Sequence, residues 1–111
     1  MLRYLVISKR ALPPSVSSAW KAMDIVLAGP IAAAALEASD LGGHDGAIVD
    51  LDYEGHEMIA CVEMLDVGQI PFVFAAFVSS SLRPPGCFVL SEAKREICAI
   101  YHRLQQTFRT H

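Results

Sequence analysis

Two carboxylates follow directly on an apolar run. Residues 46–52 read Gly-Ala-Ile-Val-Asp-Leu-Asp, so Asp50 and Asp52 stand where an uncharged stretch ends. The run is apolar at consecutive positions, which predicts a strand buried on both faces, as in a parallel sheet covered by helices. Ligands of such sheets gather at the carboxyl ends of the strands. Asp50 is therefore the residue at which chemistry is first expected.

Metal binding is the first chemistry to consider for this segment. Residues 50–55 match the opening D-x-D-x-E-G of an EF-hand calcium loop, but its last ligand position holds Cys61 where a glutamate is required. A strand before the loop also contradicts the helix that an EF-hand needs. The histidines lack the spacing of a metal site, and they are His44, His56, His102 and His111. We expect neither a metal nor another cofactor.

Composition and charge indicate a single domain that does not bind nucleic acid. The 111 residues can bury one core, and residues 1–111 are taken as a single domain. The net charge of −3 and the pI near 5.7 argue against nucleic-acid binding. The hydrophobic share of 53% is high, which indicates either several fully buried strands or an apolar surface kept for a partner.

Cysteine usage and the apolar runs point to the cytoplasm. Cys61, Cys87 and Cys98 are odd in number and form no CxxC pair, so a reducing compartment fits better than a disulfide framework. The amino-terminal apolar run is too short for a signal peptide. The longest charge-free run, residues 67–82, is broken by glycine, proline and serine and falls short of a membrane span.

Strand-like and helix-like segments alternate along the chain. Five strands are predicted, at residues 4–7, 25–27, 47–51, 70–74 and 88–90. Helices are predicted at residues 15–23, 31–41, 57–66 and 91–108, with a loop at 79–86. Trp20 is expected in the core, and Ser91 is expected to cap the last helix. The alternation predicts an α/β fold with a doubly wound parallel sheet.

Four motifs in this order resemble the receiver domains of bacterial two-component response regulators. They are VLAGP at residues 26–30, DGAIVD at 45–50, GQIPFVF at 68–74 and VL at 89–90, and the likeness spans residues 4–104. The resemblance implies a flavodoxin-like fold, as in CheY, with five strands in the order 2-1-3-4-5. It also places Asp50 at the phosphoacceptor position of that family.

The chain departs from the family at the other site positions. The resemblance marks as degenerate the positions Ser8, Lys9, Asp52, Ala76 and Glu92. At the positions that Ser8 and Lys9 occupy in this chain, receivers carry two acidic residues that bind Mg²⁺. At the position of Ala76 they carry a Thr or Ser, and at the position of Glu92 they carry a Lys. Magnesium needs oxygen ligands, and an ammonium group repels it. The resemblance therefore implies a pseudo-receiver that is not phosphorylated in the usual Mg²⁺-dependent way.

The exchanged charges permit two interpretations. In one, Lys9 lies within ion-pair reach of Asp50, and less surely of Glu92, and the salt bridge replaces the metal and fixes one state. In the other, the three charges are exposed and only happen to lie near one another. Exposed ion pairs contribute only ~0–1 kcal/mol, so such a lock needs partial burial.

Signalling through protein–protein contact is the function that the resemblance implies. The expected partner is a histidine kinase, a phosphotransferase, another regulator of a phosphorelay, or a second copy in a homodimer, and no enzymatic activity, nucleic acid or membrane is expected. One alternative is a receiver that still accepts phosphate on Asp50 by an atypical route. Another is a small ligand-binding or enzymatic flavodoxin-like domain, although no glycine-rich loop follows the first strand.

A partner surface is expected beside the last strand. Residues 79–86 replace a full fourth helix, which predicts a shortened fourth helix and an apolar patch that is less covered than in the family. The patch would comprise Phe77, Val78, Leu82, Phe88, Val89, Ile97, Tyr101 and Leu104. The alternative is that the loop folds over these side chains and buries them.

Overall fold

Five parallel strands form one sheet in the order β2-β1-β3-β4-β5. The computed structural model describes residues 2–37, 41–51, 55–76 and 88–109. The strands are β1 (Leu2–Ile7), β2 (Ile25–Ile31), β3 (Gly46–Asp50), β4 (Phe72–Ala76) and β5 (Phe88–Val89). The helices are α1 (Pro14–Lys21), α2 (Gly55–Val67) and α3 (Lys94–Arg109), with a 3₁₀ turn at Ala33–Ala35. The predicted flavodoxin-like order is confirmed.

The consecutive apolar positions of the central strands are buried on both faces of the sheet. Every residue of β3 is buried, and so are the last four residues of β1. The two strands pair in parallel, with Leu5 opposite Ala47 and Ile7 opposite Val49. The prediction of a strand covered on both faces is therefore confirmed, although the strand spans Gly46–Asp50 and Leu51 lies in the turn after it.

The sheet separates two layers of core. Helices α1 and α3 cover one face, where Trp20 and the β1 residue Val6 are buried. Helix α2 covers the other face, where Cys61 and Leu65 pack with Ile7 of β1. Because successive side chains of a strand point to opposite faces, one strand serves both layers.

Trp20 lies in the core, as predicted. Its side chain has no exposed surface, and its ring meets the Tyr4 ring edge to face at 6.2 Å. The indole N–H donates to the Ser91 carbonyl at 3.0 Å, which ties α1 to the segment after β5. Burial raises the pKa of the Tyr4 hydroxyl to about 12.

The predicted helix at residues 31–41 is wrong in its described part. Ile31 ends β2 opposite Ile7, and its carbonyl accepts the Ser8 N–H at 2.9 Å. Within residues 31–37, the helical part is the 3₁₀ turn at Ala33–Ala35, and Leu36 returns to an extended conformation and is buried. The helix preference of alanine is only tenths of a kcal/mol per residue, so strand pairing and burial of Leu36 outweigh it.

The other helices agree with the sequence except at one start. The predictions at residues 15–23 and 57–66 correspond to α1 and α2. The last helix begins at Lys94, so Ser91 is not its N-cap, although the Ser91 hydroxyl accepts the Ala93 N–H at 3.2 Å. The loop at 79–86 and the shortened fourth helix lie outside the described residues. In the described ranges, no helix is both long and apolar enough to cross a membrane.

Candidate functional site

The predicted site residues meet at the carboxyl edge of the sheet. Asp50 is the last residue of β3, and Ser8 directly follows β1. Because Ile7 pairs with Val49, Ser8 comes to stand beside Asp50. On the other side of β3, Asp50 pairs with Ala75, so the neighbouring Ala76 ends β4 at the same edge. Parallel pairing thus brings three of the predicted positions together.

Asp50 and Ser8 form a buried hydrogen-bonded pair. The Ser8 hydroxyl donates to Asp50 Oδ2 at 2.7 Å, a short distance that is typical of a charged acceptor. The two residues are only 3% and 4% exposed. A buried carboxylate is costly unless polar groups compensate it, and Ser8 supplies such a group. The same Ser8 oxygen accepts the Arg10 N–H at 2.9 Å, so it is used both as donor and as acceptor.

Two cations flank this pair. Arg10 Nε lies 3.9 Å from Asp50 Oδ2, which is ion-pair distance but longer than a hydrogen bond. Lys9 Nζ lies 3.4 Å from Glu57 Oε1 in the first turn of α2. The Lys9 side chain is 60% exposed, so this second pair contributes only ~0–1 kcal/mol. The Arg10 pair has one buried partner and is the stronger attraction.

Arg10 is a candidate site residue that the sequence did not reveal. The sequence predicted Lys9 against Asp50, whereas the cation seen at Asp50 is Arg10 and the Lys9 pair seen is with Glu57. The sequence carries no signal that separates the two cations, because the chain bends at Lys9 and Arg10 after β1 ends. Contact of Lys9 with Asp50 stays a prediction.

The remaining site positions are Ala76, Glu92 and Asp52. Ala76 carries only a methyl group, and its carbonyl accepts the Leu90 N–H at 2.9 Å. Glu92 is exposed in the turn between β5 and α3, and its approach to Lys9 stays a prediction. Asp52 lies outside the described residues. Within those residues, no cluster of three or more His, Cys, Asp or Glu side chains could hold a metal ion.

The predicted apolar patch is wrong for three of its members. Val89, Ile97 and Leu104 are 4%, 1% and 1% exposed, and Ile97 and Leu104 belong to the core layer under α1 and α3. Leu104 packs so closely on β3 that a Cβ at Gly46 would lie 3.2 Å from its Cδ1. Whether the loop at 79–86 covers them stays a prediction, because that loop lies outside the described residues.

The other patch members are less decisive. Phe88 and Tyr101 are partly buried against the same core layer. Phe77, Val78 and Leu82 lie outside the described residues.

Comparison with known proteins adds no relative. No protein-family model, curated protein or solved structure matches the chain.

Proposed function

We propose that this chain is a receiver-like signalling domain that acts through protein–protein contacts, without Mg²⁺-dependent phosphorylation of Asp50. The strand order supports the receiver resemblance at the level of the fold. Within that fold, Asp50 occupies the carboxyl end of the central strand, where ligands of such sheets bind.

The state of Asp50 is the observation that carries the proposal. Its Oδ2 accepts a hydrogen bond from Ser8 and faces the Arg10 guanidinium, and the residue is 4% exposed. A phosphoacceptor needs an accessible oxygen beside a metal ion that neutralises the incoming phosphoryl group. Here a hydroxyl and a guanidinium occupy the surroundings of the carboxylate, so charge compensation is internal to the chain.

Neighbouring residues also disfavour phosphoryl transfer. The methyl group of Ala76 cannot donate a hydrogen bond to a phosphoryl oxygen. Exposed Glu92 adds negative charge after β5, where an incoming phosphate would be repelled. Arg10 and Lys9 would oppose a divalent cation at the end of β1. Each of these features removes a different part of the phosphorylation chemistry.

A domain of this kind binds its partners in one conformation and does not switch between two conformations. Because the Arg10–Asp50 pair supplies the charge balance, the contact surfaces keep one arrangement. The proposed partners are a histidine kinase, a phosphotransferase or another regulator, met in the cytoplasm. Recovery of partners from the native cell should therefore be the same before and after treatment of the chain with acetyl phosphate and Mg²⁺. A change in recovery after this treatment would indicate a phosphorylation-dependent contact.

Intact-mass spectrometry after treatment with acetyl phosphate and Mg²⁺ tests the chemistry directly. The parent chain should gain no phosphoryl group. The matched gain-of-function variant carries Ser8→Asp, Lys9→Asp, Ala76→Thr and Glu92→Lys, and it should gain one. A stoichiometric gain in the parent chain that Asp50→Asn abolishes would overturn the proposal in favour of a receiver with an atypical site.

A further inference from the structure

Helix α2 exposes an apolar and acidic face to solvent. We define the α2 outer face by its exposed residues, which are His56, Ile59, Ala60, Glu63, Asp66 and Val67. Their spacing of three and four residues places them along one side of the helix. Ile59 is 61% and Val67 is 86% exposed, and they are the large hydrophobic residues found exposed in the described part of the chain. Single exposed apolar residues are ordinary, but Ile59 and Val67 lie on the same face about two helical turns apart, with Glu63 between them.

The charge on this face is of one sign. Helix α2 contains no Lys or Arg, and Glu63 and Asp66 interrupt its apolar residues. Neither carboxylate forms an ion pair with another described residue. Glu57, in contrast, pairs with Lys9 from outside the helix. The outer face therefore presents uncompensated negative charge between Ile59 and Val67.

Asp66 lies at the end of α2 where a negative charge is least favourable. Asp66 stands in the last turn of α2, and that turn has no basic residue. The carbonyl end of a helix carries partial negative charge, so a carboxylate there is unfavourable and a cation is favourable. A partner that placed Lys or Arg near this end would neutralise both the carboxylate and the helix terminus.

We propose that the α2 outer face docks a cationic amphipathic helix of a partner protein, with apolar residues on Ile59 and Val67 and with Lys or Arg against Glu63 and Asp66. A second copy of α2 would bring like charges together. An anionic membrane surface would be repelled in the same way. This inference deepens the proposed function, because it names the surface and the partner chemistry of a domain that acts by contact.

Titration of the nitrogen-15-labelled full chain with two designed peptides tests the inference. Both peptides have about 18 residues, five helical turns, with the same leucine stripe. One is flanked by lysines and the other by glutamates. The lysine peptide should shift the amide signals of α2 and bind at least about tenfold tighter than the glutamate peptide.

Variants separate the apolar and charged contributions. Ile59→Ser with Val67→Ser should weaken the lysine peptide by about tenfold or more, because the anchors are lost. Glu63→Gln with Asp66→Asn should reduce its advantage over the glutamate peptide to about threefold or less. The control Asp24→Asn removes one exposed carboxylate from the turn before β2 and should change neither affinity. Circular dichroism verifies that each variant is folded.

Three results would overturn the docking proposal. They are equal affinity for the two peptides, signal shifts confined to other helices, and sedimentation of the chain alone as a dimer that Ile59→Ser dissociates. The last result would assign the face to a second copy. Phosphorylation of Asp50 would instead refute the proposed function and leave the peptide result unchanged, so the two failures are distinguishable.

Discussion

Replacement of Ser8 by alanine tests the buried pair at the carboxyl edge of the sheet. The change removes the hydroxyl that donates to Asp50 Oδ2 at 2.7 Å and accepts the Arg10 N–H at 2.9 Å. A hydrogen bond to a charged group contributes roughly 1.5–3 kcal/mol. Arg10 is an exposed residue, so water can replace the lost acceptor of its backbone N–H, but Asp50 is buried. The expected loss in the free energy of unfolding is therefore about 2–3 kcal/mol.

Urea denaturation at neutral pH measures this loss. For a domain of this size, the melting temperature should fall by roughly 8–12 °C. In an Asp50→Asn background, Ser8→Ala should cost only about 1 kcal/mol, because a neutral amide replaces the charged acceptor. The control Ser18→Ala changes an exposed serine of α1 and should be neutral or slightly stabilising. A cost below about 0.5 kcal/mol, or equal costs in the two Asp50 backgrounds, would refute the reasoning.

Three further perturbations follow from other parts of the molecule. The pKa of Tyr4 is about 12 in the folded chain against 10.0 unfolded, so stability should fall as the pH rises from 10 to 12. The free energy of unfolding should fall by up to roughly 2–3 kcal/mol over this pH range. Urea denaturation of Tyr4→Phe should show a shallower dependence of stability on pH, and an equal dependence in the two proteins would contradict the assignment to Tyr4. Gly29→Ala should cost roughly 1–3 kcal/mol or more, because Gly29 has a φ of 101° and a Cβ there would lie 2.8 Å from a backbone oxygen of β1. Gly55→Ala, with open space around it, is the control, and equal thermal stability of the two variants would refute the steric argument. Ser8→Asp with Lys9→Asp should bind Mg²⁺ at least about tenfold tighter than the parent chain in calorimetry, because two carboxylates replace a hydroxyl and an ammonium. Unchanged affinity would argue against a degenerate metal site at these positions.

The sheet could be predicted from sequence because burial on both faces leaves a direct pattern. Strands β1 and β3 are apolar at consecutive positions, and Asp50 follows where the pattern stops. In a parallel sheet the carboxyl ends of the strands share one edge. If β1 and β3 are neighbours in that sheet, Ser8 is expected beside Asp50. The strand order itself came from the receiver resemblance rather than from the pattern.

Tertiary competition explains what the sequence analysis missed. At residues 31–36, alanine content favoured a helix, but pairing with β1 and burial of Leu36 decided the structure. Ile97 and Leu104 lie on the apolar side of α3, and amphipathic periodicity alone indicates that this side faces a core. An exposed patch on this side of α3 could be expected only on the assumption that the loop at 79–86 leaves it uncovered. The choice between Lys9 and Arg10 at Asp50 depended on chain direction after β1, which residue types do not specify.

Pro30 gives β2 a protective role at the margin of the sheet. Strand β2 is an outer strand, and the exposed residues Gly29 and Pro30 lie near its end. Proline has no N–H to donate, so a strand approaching from outside finds an interrupted ladder at that point. A chain with 53% hydrophobic residues would otherwise risk edge-to-edge aggregation through β2. The interrupted edge disfavours backbone pairing, which accepts almost any sequence, and leaves contacts through side chains, in which residue identity decides what binds.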